Sequence, residues 1–232
     1  MPSKNLAIIT ARGGSKRIPG KNIKEFCKKP ILFYSIEAAL GAGVFEEVMV
    51  STDDEGIARL AREAGAVVPF MRSAETAGDF ASTDEVILEV LQEYQKRGKY
   101  FEAFCCIYPT APFLTASRLK EAMNLLKEAD SVMPIVPFSY PPQRGLVINK
   151  DGHVRRKYPE YAAARSQDLE KMYHDCGQFY ACRTAPFLEA KTTDLEKLVP
   201  LYLTEMEVQD IDTPEDWELA ELKYKKLHPR AD

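Results

Sequence analysis

Leu6-Ala7-Ile8-Ile9, followed by Ala11-Arg12-Gly13-Gly14-Ser15-Lys16-Arg17-Ile18-Pro19-Gly20-Lys21-Asn22, is the stretch that decides the fold. The apolar run reads as a buried strand. Gly13, Gly14 and Gly20 let the backbone bend and come close to a ligand, because no Cβ blocks the approach. Arg12, Lys16, Arg17 and Lys21 stand among those glycines. A basic, glycine-bearing loop at the carboxyl end of a first strand is where an open α/β sheet binds phosphate. Two common cradles are excluded. Lys21 is followed by Asn22, and Ser15 occupies the place of the first Walker A glycine; the adjacent Gly13 and Gly14 break the GxGxxG spacing.

Working outward, helical and extended patterns alternate. Pro30 to Leu40 predicts a helix, with Pro30 in the first turn and Gly41 and Gly43 at its end. Glu47 to Ser51 predicts a strand. Asp53 is placed to cap a helix running to Arg62 and stopped by Gly65, and Val67 to Phe70 reads as a short strand. A polar loop leads to Ser82, which has capping-box spacing to Glu85 and opens a helix with Val86, Ile87, Val90, Leu91 and Tyr94 on one face. Ala103 to Tyr108 is apolar without alternation, the pattern of a central strand. A helix over 116–128 and a strand over 131–136 follow. Gln178 to Cys182 and the neighbourhood of Tyr202-Leu203 read as further strands, and a final helix opens at Asp212-Thr213-Pro214. This alternation predicts a three-layer α/β/α domain, Rossmann-like, with a mostly parallel sheet and right-handed crossovers over residues 1–232. Residues 140–175 break the rhythm and read as an excursion, a dimerisation arm.

The composition bounds the function. With 232 residues, 45% hydrophobic, the chain can bury one sizeable core. A net charge of −4 provides no global field for nucleic acid or an acidic membrane, so the basic residues act locally. No run approaches the length of a membrane span, and the Met1 to Asn5 start has no secretory pattern. The five cysteines are odd in number and lack CxxC spacing, which predicts reduced thiols and a cytoplasmic protein. There is no Gly-x-Ser-x-Gly elbow and no Cys/His arrangement for covalent catalysis.

Four further clusters carry chemistry. Asp210 and Asp212 are two apart, so in an extended segment they project to one side and can share a divalent cation. Asp212 serves equally well as the cap of the last helix. Arg72 to Glu75 and Asp79 to Asp84 belong to a polar loop suited to substrate contact, although Ser82 also caps a helix. Tyr108-Pro109-Thr110-Ala111-Pro112 is a rigid turn after the central strand. Arg165 to Asp168 and Tyr173 to Gln178 form a dense polar set, in which His174 suits orientation of a substrate better than acid–base work.

Together these motifs resemble the cytidylyltransferases that activate nine-carbon acidic sugars, a family that includes the CMP-sialic acid synthetases. The likeness runs from Ile8 to Trp217 and is most specific in the Ala11 to Asn22 loop. The Arg165 to Asp168 and Tyr173 to Tyr180 segments look most like the branch acting on pseudaminic acid; Tyr108 and Cys176-Gly177-Gln178 depart from the sialic acid branch. The resemblance implies transfer of CMP from CTP to a nonulosonic acid, with release of pyrophosphate. N-acetylneuraminic or legionaminic acid are the alternative acceptors, and a non-catalytic nucleotide-binding module is the alternative class. It further implies that Ala11, Arg12, Gly13, Gly14, Ser15, Lys16, Lys21 and Arg72 contact CTP, and that Asn22 and Ser82 read the cytosine. Asp210 and Asp212 would hold Mg²⁺, with Arg12, Lys21 and Asp212 as the catalytic set. Arg72, Tyr108, Arg165, His174 and Gln178 would meet the sugar, and two copies would form a homodimer in which Arg165 serves the neighbour.

Overall fold

The computed structural model describes residues 4–229; Met1 to Ser3 and the last three positions of the expected domain lie outside the described residues. The chain runs β1 (Asn5–Thr10), the two-residue ribbon β2 (Glu25–Phe26) and β3 (Lys29–Pro30), α1 (Ile31–Ala42), β4 (Glu47–Ser51), α2 (Glu55–Glu63), α3 (Ala74–Ala77) and α4 (Thr83–Lys96). Next come β5 (Ala103–Ile107), α5 (Ala116–Leu125), β6 (Ser131–Pro137) and the short arm strands β7 (Leu146–Ile148) and β8 (Val154–Arg156). The chain then returns through β9 (Tyr173–Asp175), β10 (Phe179–Arg183), α6 (Thr184–Ala190), β11 (Leu198–Tyr202) and α7 (Pro214–Leu227).

The main sheet has the order β11-β6-β10-β5-β1-β4, with β9 paired to β6. β1, β4, β5, β6 and β11 point one way; β10 and β9 oppose them. Side-chain alternation splits the core into two layers. Ala7 and Ile9 join Leu32, Ile36, Ile57 and Leu119 beneath α1, α2 and α5. Leu6 and Ile8 join Ile87, Val90, Leu91 and Phe187 beneath α4 and α6. This is the α/β/α arrangement expected.

The chain leaves β1 for β4 on one side and reaches β5 on the other, so the topological switch lies between the carboxyl ends of β1 and β5, where such sheets bind ligands. Because β10 runs backwards, its amino end arrives at the same edge. A third apolar cluster lies beside that edge: Ile18, Phe26, Ile31, Tyr34, Phe113, Ile211 and Trp217 pack together. Ile18 is 3% exposed and Ile211 1%, and burying each contributes roughly 1.5–3 kcal/mol. These two side chains dock the basic loop against the distant Asp210–Asp212 segment.

Several boundaries differ from expectation. Asp54, not Asp53, caps α2 by accepting from the Ile57 N–H (2.9 Å), because Asp53 turns to the Gly13 N–H (2.9 Å). Gly41 lies inside α1; Gly43, at φ 61°, ends it. Pro30 sits just before α1, in β3. The expected strand over 67–70 reduces to one bridge, Met49 to Val67. α5 ends at Leu125, β11 begins earlier than read, and α3 and α6 are unanticipated. Residues 173–175, placed in the excursion, pair with β6 instead.

Candidate active site

A cleft of about 940 Å³ opens at the switch point. Thr10 and Arg12 border it from β1, Arg72 and the 76–83 segment from one flank, Tyr108 to Thr110 from β5, His174 to Gly177 from β9, and Val208 to Asp212 from the far wall.

The basic loop is built from close backbone packing. A Cβ on Gly13 would approach the Asp54 Cβ to 3.1 Å, tight enough that Asp54 would have to shift, whereas nothing lies within 4 Å of a Cβ on Gly14. Gly13 spends its N–H on Asp53, which removes it from the expected phosphate donors; the Gly14 N–H has no protein acceptor among the described residues. Gly20, at φ 63°, turns the chain into a 3₁₀ turn over Lys21–Ile23. Asn22 is buried and donates to the Arg12 carbonyl (2.8 Å), which fixes the loop and leaves its own side-chain oxygen without a protein donor among the described residues.

The loop cations divide between two carboxylates. Arg12 Nη1 meets Asp79 Oδ1 at 2.9 Å, and Lys16 pairs with the other oxygen of Asp79. Arg17 Nη2 lies 2.7 Å from Asp212 Oδ1, and Lys21 Nζ 3.4 Å from the same atom while donating to the Ile211 carbonyl (2.7 Å). Lysine contact, chiefly the Lys16 hydrogen bond, holds the Asp79 carboxyl below its ordinary value.

Asp212 is not the helix cap. Thr213 caps α7 with Asp216 in a capping box, so the Asp212 side chain is left to the cleft. Burial, then the neighbouring Asp212 charge, pushes the Asp210 carboxyl above its ordinary value. A cation between the two carboxylates would relieve that repulsion. Among the described residues no set of three or more His, Cys, Asp and Glu side chains converges as a metal site. Two carboxylates facing a phosphate-sized cleft match a hard ion that completes its shell with water and substrate oxygens.

Arg72 is 8% exposed and donates to the Ser51 hydroxyl (3.0 Å) and carbonyl (2.7 Å). Burial lowers its pKa, opposed by Asp53, and its second terminal nitrogen has no protein acceptor among the described residues. Ser82 both borders the cleft and caps α4 in a capping box with Glu85. Tyr108 lies against Tyr180, edge to face at 5.8 Å, with its hydroxyl 3.3 Å from Thr83 Oγ1. Burial raises its phenol, which the Thr83 and Tyr180 hydrogen bonds oppose. Tyr180 in turn donates to Asp175. His174 packs on Phe138 at 4.8 Å, and its Nδ1 faces the Asp175 carbonyl (2.8 Å).

Two expected sugar contacts lie elsewhere. Gln178 is buried at 3% exposure, its amide donating to the Glu207 carbonyl (2.5 Å), because alternation along the chain turns it away from the Gly177 side. Arg165 is outside the cleft, held by Asp168 at 2.7 and 3.1 Å. Conversely, Asp79, Asp175 and Tyr180 hold site geometry without a role assigned from sequence, and Asp53, expected as a helix cap, holds the Gly13 N–H instead. Asp79 was legible at least by its place in the polar loop after Arg72.

A cytidylyltransferase family model matches residues 6–219. The chain belongs to this family. It is 39% identical to a pseudaminic acid cytidylyltransferase of Campylobacter jejuni, covering 98% of this chain and 99% of that protein. It is 34% identical to the CMP-N,N'-diacetyllegionaminic acid synthase of Legionella pneumophila, covering 97% and 98%. Among solved structures, a CMP:2-keto-3-deoxy-manno-octonic acid synthetase complexed with CTP superposes with a TM-score of 0.70 at 18% identity, covering 97% of this chain and all of that one. That likeness speaks for the fold. As a cytidylyltransferase, the chain is a nucleotidyltransferase, and no helix among its described residues is long and apolar enough to cross a membrane.

Proposed function

We propose that this chain transfers CMP from CTP to the anomeric hydroxyl of pseudaminic acid, giving CMP-pseudaminic acid and pyrophosphate. The observation that carries this reading is near-full-length identity of 38–39% to two pseudaminic acid cytidylyltransferases, against 34% to the legionaminic and 30% to an Escherichia coli N-acylneuraminate relative.

The cleft chemistry supports it. The free side-chain oxygen of Asn22 and the remaining lone pair of Ser82 are acceptors, suited to the amino group of cytosine and not to the carbonyl that uracil has in its place. Arg12, Lys16 and Lys21 neutralise the triphosphate. The sugar hydroxyl oxygen attacks the α-phosphorus and releases its proton to solvent; a P–O bond forms as the α–β bridge breaks, and the charge gathering on pyrophosphate is met by these cations. Asp210 and Asp212 would hold Mg²⁺, whose contribution when bound is Lewis-acid polarisation of phosphoryl oxygens. Arg72, Tyr108 and His174 face the acceptor half of the cleft.

The arm completes the reading. Leu146, Ile148 and Val154 are 61–74% exposed on a two-stranded ribbon too small to stand alone. A second copy covering it gives a homodimer, with Arg165 presented to the sugar carboxylate in the neighbour's cleft. We assign the reaction to the cytoplasm, where cysteine thiols stay reduced.

The test is incubation with CTP, Mg²⁺ and, separately, pseudaminic, N,N'-diacetyllegionaminic and N-acetylneuraminic acids, reading pyrophosphate. Release with pseudaminic acid is expected. Release with another acid alone moves the acceptor; CTP binding without release from any acid makes the chain a binding module.

A further inference from the structure

We infer that Asp79 is a built-in counter-anion of the phosphate loop, one that CTP must displace and that weakens every anion binding there. The inference rests on the reading of Arg12 and Lys16 as triphosphate ligands. Asp79 meets both cations at once, one carboxylate oxygen to each, and Arg12 also donates to the Gly78 carbonyl (3.3 Å). A phosphate group presents the same two-oxygen face to the same donors, so carboxylate and phosphate exclude each other there.

Most exposed ion pairs are weak because two free side chains must be ordered to make them. This pair differs because its carrier is anchored on both sides. Upstream, Glu89 accepts from the Ser73 N–H (2.8 Å) and hydroxyl (3.1 Å) and from the Thr76 hydroxyl, which fixes α3. Downstream, the Ser82–Glu85 capping box fixes the start of α4. Only Gly78 to Ala81 spans the gap, with Phe80 wholly exposed at its tip. Asp79 is therefore delivered to the loop, and its lowered carboxyl pKa agrees with a standing contact.

Every anion that takes Arg12 and Lys16 must first release Asp79, so inorganic phosphate, CMP and CTP are each weakened by the same factor, and CTP offsets it through its further contact with Lys21.

Calorimetry of Asp79→Asn against the unaltered chain tests this, with CTP, CMP and inorganic phosphate as ligands. The expectation is tighter binding of all three, by about the same fivefold factor for each. Glu75→Gln, on the short helix α3 just upstream, removes an equal charge from an exposed residue with no ion pair among the described residues; its CTP affinity should stay within about twofold. Equal or weaker CTP binding by Asp79→Asn, or equal tightening by Glu75→Gln, overturns the inference. Absence of CTP binding by the unaltered chain overturns the nucleotide reading instead.

Discussion

The loop over 11–22 and the arm over 140–172 are both rich in basic residues and both depart from regular structure, yet they are held in opposite ways. The loop is fixed from beneath: Ile18 is sunk in an aromatic cluster, Asn22 is buried, and Asp79 and Asp212 pair its cations. The arm has no such foundation. Its strands β7 and β8 are exposed at every residue, and among the described residues the ribbon pairs only with itself. The contrast teaches that the proposed CTP chemistry would draw on one copy alone, whereas the proposed dimer is what would cover the exposed apolar residues of the arm.

The largest effect should come from the loop's far wall. Asp212→Ala removes a candidate metal ligand and leaves Arg17 and Lys21 unpaired, so turnover should fall by about 10²–10³-fold with the thermal midpoint little changed. Near-normal turnover removes Asp212 from the catalytic set. Next in size is the contrast in stability. Phe104, fully buried and edge-on to Phe187 at 5.0 Å, should cost about 3–5 kcal/mol as Phe104→Ala in urea denaturation. Ile148→Ala on the arm should stay within about 0.5 kcal/mol in the same assay when the arm is uncovered. A large loss at Ile148 would show the arm to be already buried against a second copy.

Lys21→Ala should lower kcat/KM for CTP by about 10–100-fold, the worth of a charged hydrogen bond. The smallest effect concerns Asp210. Its folded carboxyl pKa is raised, so its ionisation opposes folding above the ordinary carboxylate range and has no effect below it. Asp210→Asn should therefore raise the thermal midpoint at pH 7, and the gain should vanish as pH falls through that range.

The same contrast explains what the sequence made legible. Periodicity and capping are local, so Ser82, Glu85 and the five inward residues of α4 stand where the pattern puts them. The loop was legible because glycines and cations at a strand end have few other uses. Long-range choices were not. Asp53 and Asp54 are equal candidates for a cap until Gly13 arrives to claim one of them. The reversed direction of β10 follows from its partners β5 and β6, not from its own residues. Gln178 reads as a polar residue beside a site, but a one-residue alternation sends it to Glu207. Asp79 reads as one acid among several, and only the fold brings it across to Arg12 and Lys16.

The most direct test of the account is mass spectrometry of the products formed from CTP, Mg²⁺ and an equimolar mixture of nonulosonic acids. The account predicts CMP-pseudaminic acid as the dominant new species, with CTP consumed in step. Intact CTP, or a CMP-sugar of another acid in its place, would contradict it.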